Sequence, residues 1–301
     1  MFLDKPVSHT SIFNQRQNYR LEEVLMKPRF LFSLLLVAFS VAGAQEKDAG
    51  LMTYDEYSKT RHSSPYIVEL EIGKGALLYF GAQHTNDPKN PQIAQIEKLW
   101  GQFRPTVAFN EGGDPPVLKS VDEAVSRVGE AGLARFLAAR DKVPVHSLEP
   151  GLADEVAFLL RGYTPEQVKV FYALRQIPQF RNSKRDETIE THMEFVLDRW
   201  LAGVPGLEGA PRNLTEFERS CLWLSPKLKD WRETPADWFD PTKSEAYTNQ
   251  VSRLSSEFRD RHMVKLLTEA VKKGARVFAV VGFSHVVIQE RALKAALSGA
   301  Q

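Results

Sequence analysis

An α/β fold, built on a largely parallel central sheet with helices on its faces, is predicted by three features of this sequence. From Ala76 to Glu149, short apolar runs alternate with helical stretches in the order β-α-β-α-β, an order that implies parallel strands joined by helical crossovers. Near the C-terminus a further helix leads into the strand-like run "RVFAVVG", which adds a late member to the same sheet. Between these units, residues 150–249 are helical in pattern but interrupted by prolines, and we read them as a helical insertion.

The elements follow in order. "ALLYF" and "TVAFN" are short apolar runs bounded by Gly, Pro and Asn, as buried strands are. Between them, Ile93, Ile96, Leu99 and Trp100 recur at helical spacing. Residues 121–142 read as one or two helices, followed by a strand at "VPVHSL". In the insertion, "YTPEQVKVFYALRQ" places Thr164 as a cap and Pro165 at the first helical position. Trp200, Trp223, Trp231 and Trp238 are expected to form the insertion's core. A helix is expected from Ser255 to Lys273, ended by Gly274. The run from Glu290 to Ala300 predicts a closing helix.

The N-terminal region has a different character. From Met26 the chain carries Lys27 and Arg29, an apolar run, and then Ala42-Gly43-Ala44. That is the pattern of a secretory signal peptide cut before Gln45. Met26 is therefore the expected translation start, and residues 45–301 the single exported domain, periplasmic or secreted. Gln45 stands where a lipoprotein needs cysteine, so membrane attachment is expected only through an uncleaved signal anchor. Cys221 is the one cysteine of the 301 residues, which excludes an internal disulfide and any zinc site built from several cysteines. A net charge of +1, without a basic stripe or phosphate loop, gives no support for a nucleic-acid partner.

Aligning the expected strands by their C-terminal ends brings the candidate chemistry together. "ALLYFG" leads to His84, "TVAFN" to Glu111, "VPVHSL" to Glu149 and "VFAVVG" to His285. Ligands bind outside this edge in open α/β sheets. Gly81 and Gly282 are expected to let the backbone turn sharply and approach a ligand. Two imidazoles with one or two carboxylates suit a divalent cation, and they equally suit a histidine base held by a glutamate. Arg259 shares a helical stripe with Met263, Leu266 and Ala270, so its charge needs a partner. Asp260 is one candidate; the site carboxylates or an anionic substrate group are the other. His262 is expected at the surface and His146 in the core. His62 and His192 carry no motif. Asn110 and Asp114 flank Glu111 as supporting candidates, and Asn213 opens a glycosylation sequon.

Gly81-x-x-His84, Glu111-Gly112, "RDRHM" from Arg259 and Gly282-x-x-His285 together resemble the Tiki/TraB/GumN superfamily, to which the erythromycin esterases and ChaN-like haem-binding proteins are related. The resemblance covers residues 76–113 and 253–287 and leaves the middle unmatched. It implies an α/β core of two related halves with His84, Glu111, Arg259 and His285 in one pocket. It also implies hydrolysis of a peptide or ester bond, by a divalent metal such as Mn, Co or Zn on His84, Glu111 and His285, or by a histidine base. Glu149 is added by position alone. The alternative it carries is a non-catalytic protein binding haem or a small ligand.

Overall fold

A computed structural model describes residues 50–182 and 186–298. The signal segment and both candidate start sites lie outside the described residues. The chain begins with the short helix α1 (Tyr54–Ser58), β1 (Tyr66–Ile72) and β2 (Gly75–Ala82). It continues through α2 (Pro91–Phe103), β3 (Val107–Asn110), α3 (Val121–Val128), α4 (Glu130–Asp141) and β4 (Val145–Ser147). The insertion supplies α5 (Leu152–Leu159), α6 (Pro165–Arg181), α7 (Ile189–Phe195) and α8 (Leu214–Leu224), with a π-helical turn after α7. The chain closes with α9 (Tyr247–Lys272), β5 (Arg276–Gly282) and α10 (Phe283–Ser298).

The strands form one mixed sheet in the order β1-β2-β5-β3-β4. The neighbours β2-β5, β5-β3 and β3-β4 are parallel; β1 joins β2 as an antiparallel hairpin that the sequence pattern did not announce. Its alternation is blurred, with Glu69 and Glu71 outward on an exposed edge, a common protection against edge pairing. β2 is buried along its whole length, as a strand covered on both faces must be.

Alternate residues feed two cores. Leu77, Tyr79, Val277, Ala279 and Val281 face α9 and α10, where Met263, Leu267 and Val286 cover them. Leu78, Phe80, Ala108, Phe278 and Val280 face α2, α3 and α4, against Ile96, Trp100 and Leu137. The insertion has a third core of its own, centred on Phe171, Leu174, Leu197 and Phe217.

The caps are as expected: Thr164 forms a capping box with Gln167, and Gly274 takes a left-handed φ of +87° beyond α9. Other expectations are corrected. α9 starts at Tyr247 rather than Ser255, because Asn249 reaches back to cap the Ala246 amide. α10 starts at Phe283 rather than Glu290, so His285 sits within the helix. Of the tryptophans, Trp231 is buried and Trp238 packs partly on the insertion core, but Trp223 is 78% exposed and Trp200 36%. His146 is exposed, not in the core, because β4 is a three-residue edge strand. His62 stacks on Tyr57 and His192 on Phe180, both away from the sheet edge. His262 is half-exposed on α9, and Cys221 is buried.

Candidate functional site

β5, the last strand in sequence, lies between β2 and β3. Ala82 is level with Gly282, so the two Gly-x-x-His segments leave the sheet side by side. Beyond the strand ends, the ladder runs on through Glu111 N–H to Val280 O (3.1 Å) and Leu148 N–H to Asn110 O (2.9 Å). His84, Glu111, Glu149 and His285 thereby reach one edge, and Arg259 meets them from α9.

Glu111 is the hub. Its Oε2 accepts from the Gly282 amide at 2.7 Å, and its Oε1 accepts from Arg259 Nη2 at 2.9 Å. His285 Nε2 stands 3.5 Å from Oε1, and His84 Nε2 stands 4.0 Å from Oε2. Arg259 also grips Glu149 in a fork, Nε to Oε2 at 2.8 Å and Nη2 to Oε1 at 2.6 Å. The Gly112 amide adds a bond to Glu149. Such bidentate pairs fix geometry as well as charge. Burial alone would raise the Glu111 pKa, but His285, Arg259 and the Gly282 amide hold it well below the carboxylate range. Glu149 is lowered likewise, Arg259 overcoming its burial.

Each histidine has its own carboxylate behind it. His285 Nδ1 meets Asp260 Oδ1 at 2.6 Å, and Asp260 is fully buried. Gln289 donates to the same oxygen at 2.6 Å, Tyr54 donates to Oδ2 at 3.2 Å, and Tyr79 donates to Gln289 at 2.9 Å. Burial pulls the His285 pKa down, but Asp260 and Glu111 outweigh it and lift the value to about 10. The two carboxylates thus favour the protonated form of His285. On the other side His84 Nδ1 lies 3.4 Å from Glu130 Oε2, while Glu130 Oε1 accepts from the Thr85 amide (2.6 Å) and Gln92 (3.2 Å). The bond to Glu130 raises the His84 pKa. The His84 side chain is 69% exposed.

The structure decides between the partners considered for Arg259. Its ion pairs are Glu111 and Glu149; Asp260 belongs to His285. Arg259 and Met263 are buried on α9 as expected, and the buried face runs on through Asp260, Leu267 and Val271, with Leu266 and Ala270 only partly buried. Asp260 and Glu130 were not recognised as site residues. Asp260 stood in the sequence at the edge of the apolar stripe, as one candidate partner of Arg259. Glu130, which follows Gly129 at the start of α4, carried no signal.

The glycines act by closeness, not by a special turn, which corrects part of their expected role. The left-handed glycines at this edge are Gly112 and Gly113, with φ of +85° and +78°. Asn110 braces that turn by donating to Glu111 O and Gly113 O, and Arg135 ties Asn110 to Asp114. A methyl group on Gly282 would lie 2.8 Å from His84 Nε2 and 3.4 Å from Glu111 Oε2. One on Gly81 would meet Phe283 Cα at 2.7 Å.

Among the described residues, no three His, Cys, Asp or Glu side chains are grouped to hold a metal ion. Glu111 is drawn onto Arg259 and Gly282 instead. The donor types nonetheless suit a cation, since each imidazole turns Nε2 to one carboxylate and is backed at Nδ1 by another. Two cavities, of about 460 Å³ beside α7 and about 540 Å³ beside β1, lie away from these residues. The fold and site define an α/β protein with a charged, solvent-open centre at the carboxyl edge of its sheet. No family model, curated protein or solved structure matches the chain.

Proposed function

We propose that this protein is an exported hydrolase that cleaves a peptide or ester bond at the sheet edge. The observation that carries the reading is the pair of histidine–carboxylate dyads, His84–Glu130 and His285–Asp260, facing each other across Glu111. His84 is the solvent-open member and acts as the base. Its Nε2 takes a proton from water, the oxygen attacks the carbonyl carbon, and the imidazolium then returns the proton to the leaving group. The proton-bearing His285 and the guanidinium of Arg259 stabilise the negative charge that develops on the carbonyl oxygen. Glu111 spaces the two imidazoles and balances their charge. The resemblance to the Tiki/TraB/GumN superfamily supports the same reaction class.

A second reading adds a divalent cation, Mn, Co or Zn, held by His84, His285 and Glu111, with Glu149 as a further ligand. It is favoured by the carboxylate behind each Nδ1, an arrangement that orients metal-binding imidazoles. Bound there, the metal would supply Lewis-acid polarisation and a more acidic water.

The test uses the full chain on peptide and ester panels, with folded His84→Ala and His285→Ala variants alongside. Turnover by the unmutated protein and its loss in both variants is expected; activity retained in either overturns the assignment. Melting curves across added Mn, Co and Zn separate the two readings. Stabilisation of about 2.7 kcal/mol at a hundredfold excess over Kd, absent from the double variant, would place the metal. A Soret band on haem titration without any turnover would move the protein to the haem-binding alternative.

A further inference from the structure

The run "ERSCLWLSPKLK", residues 218–229, ends α8 and makes the turn beyond it. At helical spacing, Phe217, Cys221 and Leu224 face the insertion core. The opposite arc of the same turns holds Arg219, Leu222 and Trp223. Leu222 is 59% exposed and Trp223 78%, the two most exposed large apolar side chains among the described residues. Single exposed apolar residues need no explanation, but adjacent ones on the outer face of a helix form a patch.

The turn adds cations to it. The Leu228 amide donates to Ser225 O at 2.8 Å, and the Leu228 side chain is buried. Lys227 and Lys229, on either side of it, are exposed, as is Arg219. The carboxylates close in sequence are engaged elsewhere. Glu218 accepts from Trp231 Nε1 at 3.0 Å and lies 3.6 Å from Arg232, which also pairs with Asp230 at 3.0 Å. Glu216 lies 3.9 Å from Arg212. Among the described residues no ion pair holds Arg219, Lys227 or Lys229.

Tryptophan and leucine rimmed by lysine and arginine suit the boundary layer of a bilayer. The indole and the aliphatic chain enter it, while the cations meet anionic headgroups. A second copy of this chain fits worse, since a two-fold contact through this face sets three cations against three. A protein partner also fits worse, because lysine is depleted at protein interfaces. No described helix is long and apolar enough to cross a membrane, so the contact is a peripheral one.

We propose that the end of α8 and the turn after it dock the protein on the surface of an anionic lipid bilayer, with Leu222 and Trp223 as anchors and Arg219, Lys227 and Lys229 as the charged rim. This attachment is separate from any made by the N-terminal segment, and it does not rest on the hydrolase reading.

The test adds vesicles with brominated acyl chains to the full chain and reads tryptophan emission, Trp223 being the part lost in Trp223→Phe. Vesicles of equal parts phosphatidylcholine and phosphatidylglycerol are expected to quench Trp223 and shift its emission to the blue. Vesicles of phosphatidylcholine alone are expected to leave it as in buffer. Equal quenching by both, or by neither, overturns the proposal. In Lys227→Gln/Lys229→Gln the lipid concentration for half-quenching is expected to rise about ten- to thirtyfold, and in Leu222→Ser about three- to tenfold. These residues are exposed, so unchanged melting curves are expected to show that the variants fold alike. Half-quenching that stays put in the lysine variant overturns the charged rim and with it the proposal. A Trp223 signal that shifts with protein concentration in the absence of vesicles overturns it in favour of self-association.

Discussion

Gly81-Ala-Gln-His84 and Gly282-Phe-Ser-His285 share a pattern and leave neighbouring parallel strands, yet they place their histidines in opposite environments. His285 is carried on the first turn of α10, with a side chain 10% exposed and locked to a fully buried Asp260. His84 stands on a loop, 69% exposed, with a longer contact to Glu130. The chain segment after each motif makes the difference. "VVIQERAL" after His285 is apolar on one face and continues as a helix against the sheet, whereas "TNDPKNP" after His84 cannot. One strand-end motif therefore yields a buried, tightly paired imidazole on one side and an exposed one on the other.

The comparison is broken most severely at Asp260. Asp260→Ala leaves the buried His285 imidazolium and Gln289 without their acceptor and is expected to cost about 3–5 kcal/mol in urea unfolding, as for other buried pairs that lose one partner. A loss below about 1 kcal/mol would show that His285 is not held as a buried cation.

The two glycines come next. Gly81→Ala drives a methyl group against backbone at Phe283 and Tyr66 and is expected to destabilise by about 1–3 kcal/mol. Gly282→Ala meets the exposed His84 ring, which can swing aside, so the cost should stay under about 1 kcal/mol. Its main effect should be on His84, read as a displaced imidazole NMR signal and reduced turnover. Equal melting shifts for the two variants would mean that the two motifs are packed alike.

The smallest stability effect belongs to His84 itself. His84→Ala is expected to change stability by no more than about 0.5 kcal/mol, as exposed positions do, while abolishing hydrolysis. A larger destabilisation in calorimetry would assign His84 a packing role like that of His285.

The parallel strands, the crossover helices and four strand-end groups were legible in the sequence, because apolar runs and helical periodicity are local. The hairpin strand β1 was missed because "YIVELEI" sits on an edge with only Val68 buried, and its alternation is weak. Glu130 was missed because no local pattern marks a carboxylate that folds back under a loop 46 residues earlier. Asp260 was placed at the edge of the stripe as one of two candidate partners for Arg259, since helical angle alone cannot tell which element covers which side.

By itself the sequence determined that four chemistry-bearing residues end four strands, since the alternation of apolar run, glycine and polar group is written along the chain. Only the tertiary structure decided which of them touch. The insertion of β5 between β2 and β3 makes neighbours of His84 and His285, some 200 positions apart in the chain. The docking of α9 sets which carboxylate holds which cation. Pairing energies between charges depend on distance and burial, and neither is encoded in local order.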